Sequence, residues 1–74
     1  MDIEEVKRKV MLELERAEDL FPAMLSNHEG YAIIKEEFDE LWDEIKKKGD
    51  NNLAIESEAI QVAAMVLRFL KDCC

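Results

Sequence analysis

The sequence predicts an all-α fold: a three-helix chain, an antiparallel hairpin preceded by an N-terminal helix, that completes a helical bundle by homo-oligomerisation. Three observations lead there. Apolar residues recur every three or four positions along three long stretches, and no stretch alternates as a strand would. Pro22 and Gly49 fall in the two gaps between those stretches. Finally, 74 residues make one domain with a marginal core, and the third stretch is apolar around most of its circumference, which calls for burial against a further chain.

In the first helix Ile3, Val6, Val10, Leu14, Ala17 and Leu20 share one face, so it runs from about Ile3 to Leu20. Pro22 cannot donate the next helical hydrogen bond and biases Phe21 to extended backbone, which places the break at Phe21-Pro22. Ser26 and Glu29 form an S-x-x-E capping box that opens the second helix. Tyr31, Ile34, Phe38, Leu41, Trp42 and Ile45 form its stripe, and it ends at Lys48 before a capping Gly49. The short turn Gly49 to Asn52 sets the next helix antiparallel, with Asp50, Asn51 or Asn52 as its cap. The third helix, from about Leu53 to Asp72, carries two apolar stripes: Ile55, Ala59, Val62, Val66 and Phe69, and Ile60, Ala63, Ala64, Leu67 and Leu70. Three helices cannot surround their own third member, and pairing two chains is the smallest arrangement that covers it, so a homodimer or homotetramer is expected.

Composition excludes several classes. A net charge of −8 repels a phosphate backbone, so no nucleic acid is expected as a partner. Lys46, Lys47 and Lys48 sit where cations stabilise the negative end of a helix dipole. No membrane partner is expected, because the longest weakly polar run, Ala59 to Leu67, is too short to span a bilayer. Met1 to Glu5 lacks the apolar core of a signal peptide, and the adjacent Cys73 and Cys74 read as reduced thiols, which points to the cytoplasm.

The second helix holds six acids in nine residues, more than solubility requires. Glu37, Glu40 and Glu44 form one row flanking the apolar stripe, while Glu36, Asp39 and Asp43 form a second row toward solvent. The third helix has one narrow polar seam, Glu58, Gln61, Arg68 and Asp72, with Met65 completing the spacing. In an antiparallel hairpin folded near Asp50, residues whose numbers sum to roughly 101 face each other, which sets Glu40 against Gln61 and Glu44 against Glu58. Converging carboxylates survive by protonation or by binding cations, and oxygen donors suit magnesium or manganese. The other reading of the same acids is a solvated face with helical ion pairs such as Lys35–Asp39 and Arg68–Asp72. His28, the only histidine, lies inside the capping box, and Trp42 and Tyr31 have the spacing of core or interface residues.

His28-Glu29-Gly30-Tyr31-Ala32, Glu36-Glu37-Phe38-Asp39-Glu40-Leu41-Trp42 and Glu58-Ala59-Ile60-Gln61-Val62-Ala63-Ala64-Met65 together resemble MazG-like members of the all-alpha nucleotide pyrophosphohydrolase superfamily. The pattern of that superfamily is E-x-x-E on one helix and E-x-x-D on the next. Glu37 and Glu40 match the first pair; Glu58 matches the start of the second, and Gln61 stands where the pattern has aspartate. The resemblance implies Mg2+ (or Mn2+) held by Glu37, Glu40, Glu58 and Gln61, with a nucleoside triphosphate cleaved to monophosphate and pyrophosphate. Within that reading Glu44, the remaining carboxylate, is the expected catalytic base, and Arg68, on the same seam, is the candidate phosphate contact with an Asp72 ion pair as its other role. The alternative is a non-catalytic oligomerisation or nucleotide-binding module of the same fold.

Overall fold

The computed structural model describes residues 1–74 as three helices and no strands. The Asp2 side chain accepts from the Glu5 amide at 2.9 Å and opens α1 (Ile3–Leu20), whose first turn carries Glu4 and Glu5 against the positive dipole end. Phe21 is extended, at φ −128° and ψ 146°, as the residue before a proline should be. Ser26 caps α2 (Asn27–Lys46), its Oγ accepting from the Glu29 amide at 3.1 Å. The reciprocal half of the box differs from expectation. Glu29 Oε2 accepts from the Leu25 amide at 3.3 Å, one residue before the cap.

α2 ends at Lys46, two residues earlier than the sequence suggests. Lys47 is already extended, and Gly49, at φ 105°, lies in the loop instead of capping the helix. Asn51 stands at the N-cap of the next helix without a side-chain capping bond; its Nδ2 instead donates to the Glu44 carbonyl at 2.5 Å, which also accepts from the Lys47 amide at 3.3 Å. α3 (Asn52–Cys73) follows. The hairpin therefore pivots on Gly49, and this moves the register. Glu58 meets Glu37 and Glu40 where Glu44 was expected, and Gly30 meets Phe69.

α3 is the central element. It packs on α1 and on α2, while no Cα of α1 comes within 8 Å of one in α2. Lys9 reaches Glu56 at 2.6 Å and Lys71 pairs with Glu18, so α1 runs parallel to α3, and α2 runs antiparallel to it. The result is an open layer in the order α1–α3–α2, with extents of 38 × 26 × 19 Å. Val10, Leu14 and Ala17 of α1, Met24 of the connection, and Ala64 and Met65 of α3 form the core. Burying a leucine such as Leu14 contributes about 1.5–3 kcal/mol, and only six residues contribute in this way.

Along α3 the sides are the reverse of what composition suggests. The narrow polar seam faces inward: Met65 and Arg68 are buried and the Asp72 side chain is 8% exposed. Parts of both apolar stripes face outward, with Val66, Leu67 and Leu70 exposed. The stripe of α2 divides in the same way. Ile34 and Leu41 are half-buried, while Tyr31, Phe38, Trp42 and Ile45 are exposed, so Trp42 and Tyr31 are not core residues of the single chain. Each flanking helix brings its backbone close to that of α3 alone, and one such contact covers only part of a stripe. No helix is long and apolar enough to cross a membrane.

Candidate functional site

Glu37 and Glu40 lie three residues apart on α2 and so share a face, and Glu58 projects toward them from the first half of α3. One carboxylate oxygen from each lies within 4.8 Å of the others. Glu40 is exposed, whereas Glu37 Oε2 and Glu58 Oε2 are both buried without a hydrogen-bond partner. Buried acceptors of this kind are costly unless a proton or a cation serves them.

The protonation of the cluster follows. Burial, then the charges of Glu40 and Glu58, push the Glu37 carboxyl up to about 7. Glu58 is raised for the same first reason, then by Glu40 and Glu44, against an opposing effect from Lys47. Without a cation, the cluster holds a proton near neutral pH. A divalent ion can replace that proton.

Glu44 stands apart from the three. Its charge reaches Glu58, but Lys47 Nζ at 2.6 Å and Asn51 Nδ2 at 3.2 Å hold its carboxylate, and these hydrogen bonds lower its pKa below the ordinary value. A carboxylate kept in its charged form is a weak base, so the role expected of Glu44 does not fit its surroundings. Gln61 lies one turn beyond Glu58, half-buried, with Nε2 3.5 Å from Ser57 Oγ.

Arg68 does not pair with Asp72. It is 3% exposed, donates to the Pro22 carbonyl at 2.8 Å, and has Nη1 3.4 Å from Met65 Sδ. Asp72 instead accepts from the Met24 amide at 3.0 Å, so both seam residues hold the Phe21–Leu25 connection against α3. His28 is exposed in the first turn of α2. Lys35 pairs with Asp39 at 2.9 Å as the spacing suggests, and Lys46 pairs with Asp43 at 3.2 Å, so two of the outer acids are held in helical ion pairs. Cys73 and Cys74 are free; Cys73 Sγ lies 3.5 Å from the Ser26 carbonyl, and burial raises its pKa.

Two residues of α1 border the cluster that the sequence did not single out. Glu13 and Arg16 form a bidentate pair, closest at 2.5 Å, and the charge of each reaches Glu37. Their i, i+3 spacing reads as an ordinary surface pair, because the helix on its own shows no neighbour. A groove of about 420 Å³ beside them runs between α1 and α3, with Lys9, Arg16 and Ser57 on its walls. On the other side of Glu37 a cleft of about 260 Å³ is bounded by Ile33, Glu36, Met65 and Arg68. The cleft is smaller than the roughly 300 Å³ at which small-molecule pockets begin, so one chain can anchor a charged group there without enclosing a whole ligand. Comparison with protein-family models, curated proteins and solved structures finds no match to this chain.

Proposed function

We propose that the chain is a magnesium-dependent nucleoside triphosphate pyrophosphohydrolase of the MazG-like kind, releasing nucleoside monophosphate and pyrophosphate. The observation that carries this reading is the convergence of Glu37, Glu40 and Glu58 from two helices, with two of their oxygens buried and unpartnered. The donor set fits a hard cation. All donors are oxygens, and opposite ligands of magnesium lie about 4.2 Å apart, close to the spacing already in place. Manganese would accept the same donors.

When bound, such an ion neutralises a phosphate chain and lowers the pKa of an attacking water. The chain's own residues divide the remaining work. Glu37, Glu40 and Glu58 hold the ion, and the Gln61 carbonyl is a neutral fourth donor within the same turn. Lys9 and Arg16 line the neighbouring groove, but each is already paired with an acid of that groove, Glu56 and Glu13, so a phosphate must displace those partners to use them, and Arg68 is too buried for the task. Arg68 shapes the cleft wall instead.

The test is pyrophosphate release from a panel of nucleoside triphosphates with and without magnesium, alongside a Glu37→Ala, Glu40→Ala double variant. Release that needs both the metal and these glutamates is expected. Metal-independent release, or full activity in the double variant, rejects the site. Nucleotide binding without release favours the non-catalytic module, a reading that Gln61 in place of an acid supports.

A further inference from the structure

The acid cluster draws on α2 and α3, and α1 brings a further carboxylate to its border. Lys9 reaches Glu56 and Glu18 meets Lys71, so Glu13, between Lys9 and Glu18, stands level with the turn of α3 that holds Ile60 and Gln61. Glu13 and Ile60 line one groove, and Gln61 Nε2 lies 3.5 Å from Ser57 Oγ on the same wall. α1 and α2 flank α3 without their backbones meeting, so this part of the seam has Glu13 on one side and Glu37 and Glu40 on the other. The charge of Glu13 reaches Glu37 across it.

Arg16 is what holds Glu13 back. Its Nε donates to Oε1 at 2.9 Å and its Nη2 to Oε2 at 2.5 Å. The partners are unequally placed: the Glu13 side chain is 16% exposed and that of Arg16 54%. An ion pair with one partner in water is weak, so the guanidinium can swing away at little cost. Magnesium takes six oxygen donors, and three glutamates with a neutral Gln61 leave places open that Glu44, tied to Lys47 and Asn51, does not fill. We infer that Glu13 is a further ligand of the cation held by Glu37, Glu40 and Glu58, and that Arg16 is the latch that keeps it in reserve. The inference rests on the proposed metal site. One side-chain exchange then serves two ends: as the Glu13 carboxylate turns to the cluster, the Arg16 guanidinium is left free in the groove for the phosphate that its pairing otherwise excludes.

Manganese binding, followed through the paramagnetic signal of the free ion, tests this without turnover. Glu13→Gln keeps the shape and removes the charge, and should weaken manganese affinity about 10-fold, whereas Arg16→Gln should tighten it about 5-fold. In the Glu13→Gln background, Arg16→Gln should change affinity by less than about 2-fold. Glu15→Gln, at an exposed acid of the same helix, removes the same net charge and should also change it by less than about 2-fold. The loss in Glu13→Gln should persist in 1 M salt, where the screening length of about 3 Å suppresses effects of charge at a distance but not ligation. Unchanged affinity in Glu13→Gln, a loss that salt abolishes, or equal tightening by Arg16→Gln in both backgrounds overturns the inference while leaving the site intact. The site itself fails, and the inference with it, when the wild type binds no manganese or the Glu37→Ala, Glu40→Ala variant binds it equally well.

Discussion

The two sides of α3 handle charge and oil in opposite ways. On the inner side, Arg68 is buried beneath the Pro22 carbonyl, and Glu58 presses a carboxylate against Glu37 and Glu40. On the outer side, Val66 and Leu70 remain exposed. Residue type alone would have placed these groups the other way round. The difference shows that the side of α3 covered by the Phe21–Leu25 connection is buried whatever its polarity, and that polar groups drawn in there need partners. Arg68 finds a carbonyl, Asp72 an amide, and Glu37 and Glu58 each keep one oxygen unserved.

The largest test of this asymmetry is Leu14→Ala. Removing a leucine from a six-residue core should cost about 2–5 kcal/mol and leave a chain this small largely unfolded, as urea denaturation would register. Leu70→Ala on the outer side should cost less than about 0.5 kcal/mol at dilutions where the chain is monomeric. Equal losses would erase the distinction between the two sides.

Next in size is the acid cluster. Glu37 titrates at about 7 in the fold and near the ordinary carboxyl value when unfolded, so between those values the native state holds a proton that the unfolded chain releases. Stability should therefore fall as pH rises from about 4.5 to about 7 and then level off, by on the order of 1–3 kcal/mol after allowing for solvent near exposed Glu40. Calorimetry at pH 5 and pH 8 reads this directly. Glu37→Gln should flatten the dependence, and millimolar magnesium should restore stability at pH 8; a flat wild-type profile would mean that the oxygens are better solvated than their burial implies.

Gly30→Ala probes the α2–α3 contact. A Cβ there would lie 2.4 Å from Phe69 Cδ2 and 3.2 Å from Met24 Sδ. Overpacking of about 1–3 kcal/mol, less the gain of about 1 kcal/mol for alanine in a helix, predicts a net loss of about 0–2 kcal/mol. The smallest effect belongs to Ser26→Ala, which removes the cap of α2 and should cost about 0.5–1 kcal/mol, seen as a lower Tm with the cluster's pH dependence unchanged.

Parts of this structure were legible before any coordinates. α1 runs from Ile3 to Leu20 as read, because one apolar stripe ends against a proline. Glu37 and Glu40 were readable as members of one row from their spacing, whereas Glu58 joined them only through the family resemblance, the register of the seam having set it against Glu44. The end of α2 was overextended through Lys47 and Lys48, which are good helix formers and gave no local sign of stopping. That error displaced the register and assigned Glu44 to the wrong neighbours. Glu13 and Arg16 gave no signal, since an i, i+3 ion pair looks the same on any exposed helix.

The sequence by itself determined the helices, their order and the antiparallel hairpin, because periodicity, capping and turn chemistry act over a few residues. Tertiary structure alone decided that α3 lies between α1 and α2, that its polar seam turns inward, and which carboxylates share a site. Those outcomes depend on how two flanking helices divide the circumference of a third, and on where a five-residue loop sets its pivot. Neither is encoded within a single turn of helix, since each arises from the simultaneous packing of side chains far apart in the chain.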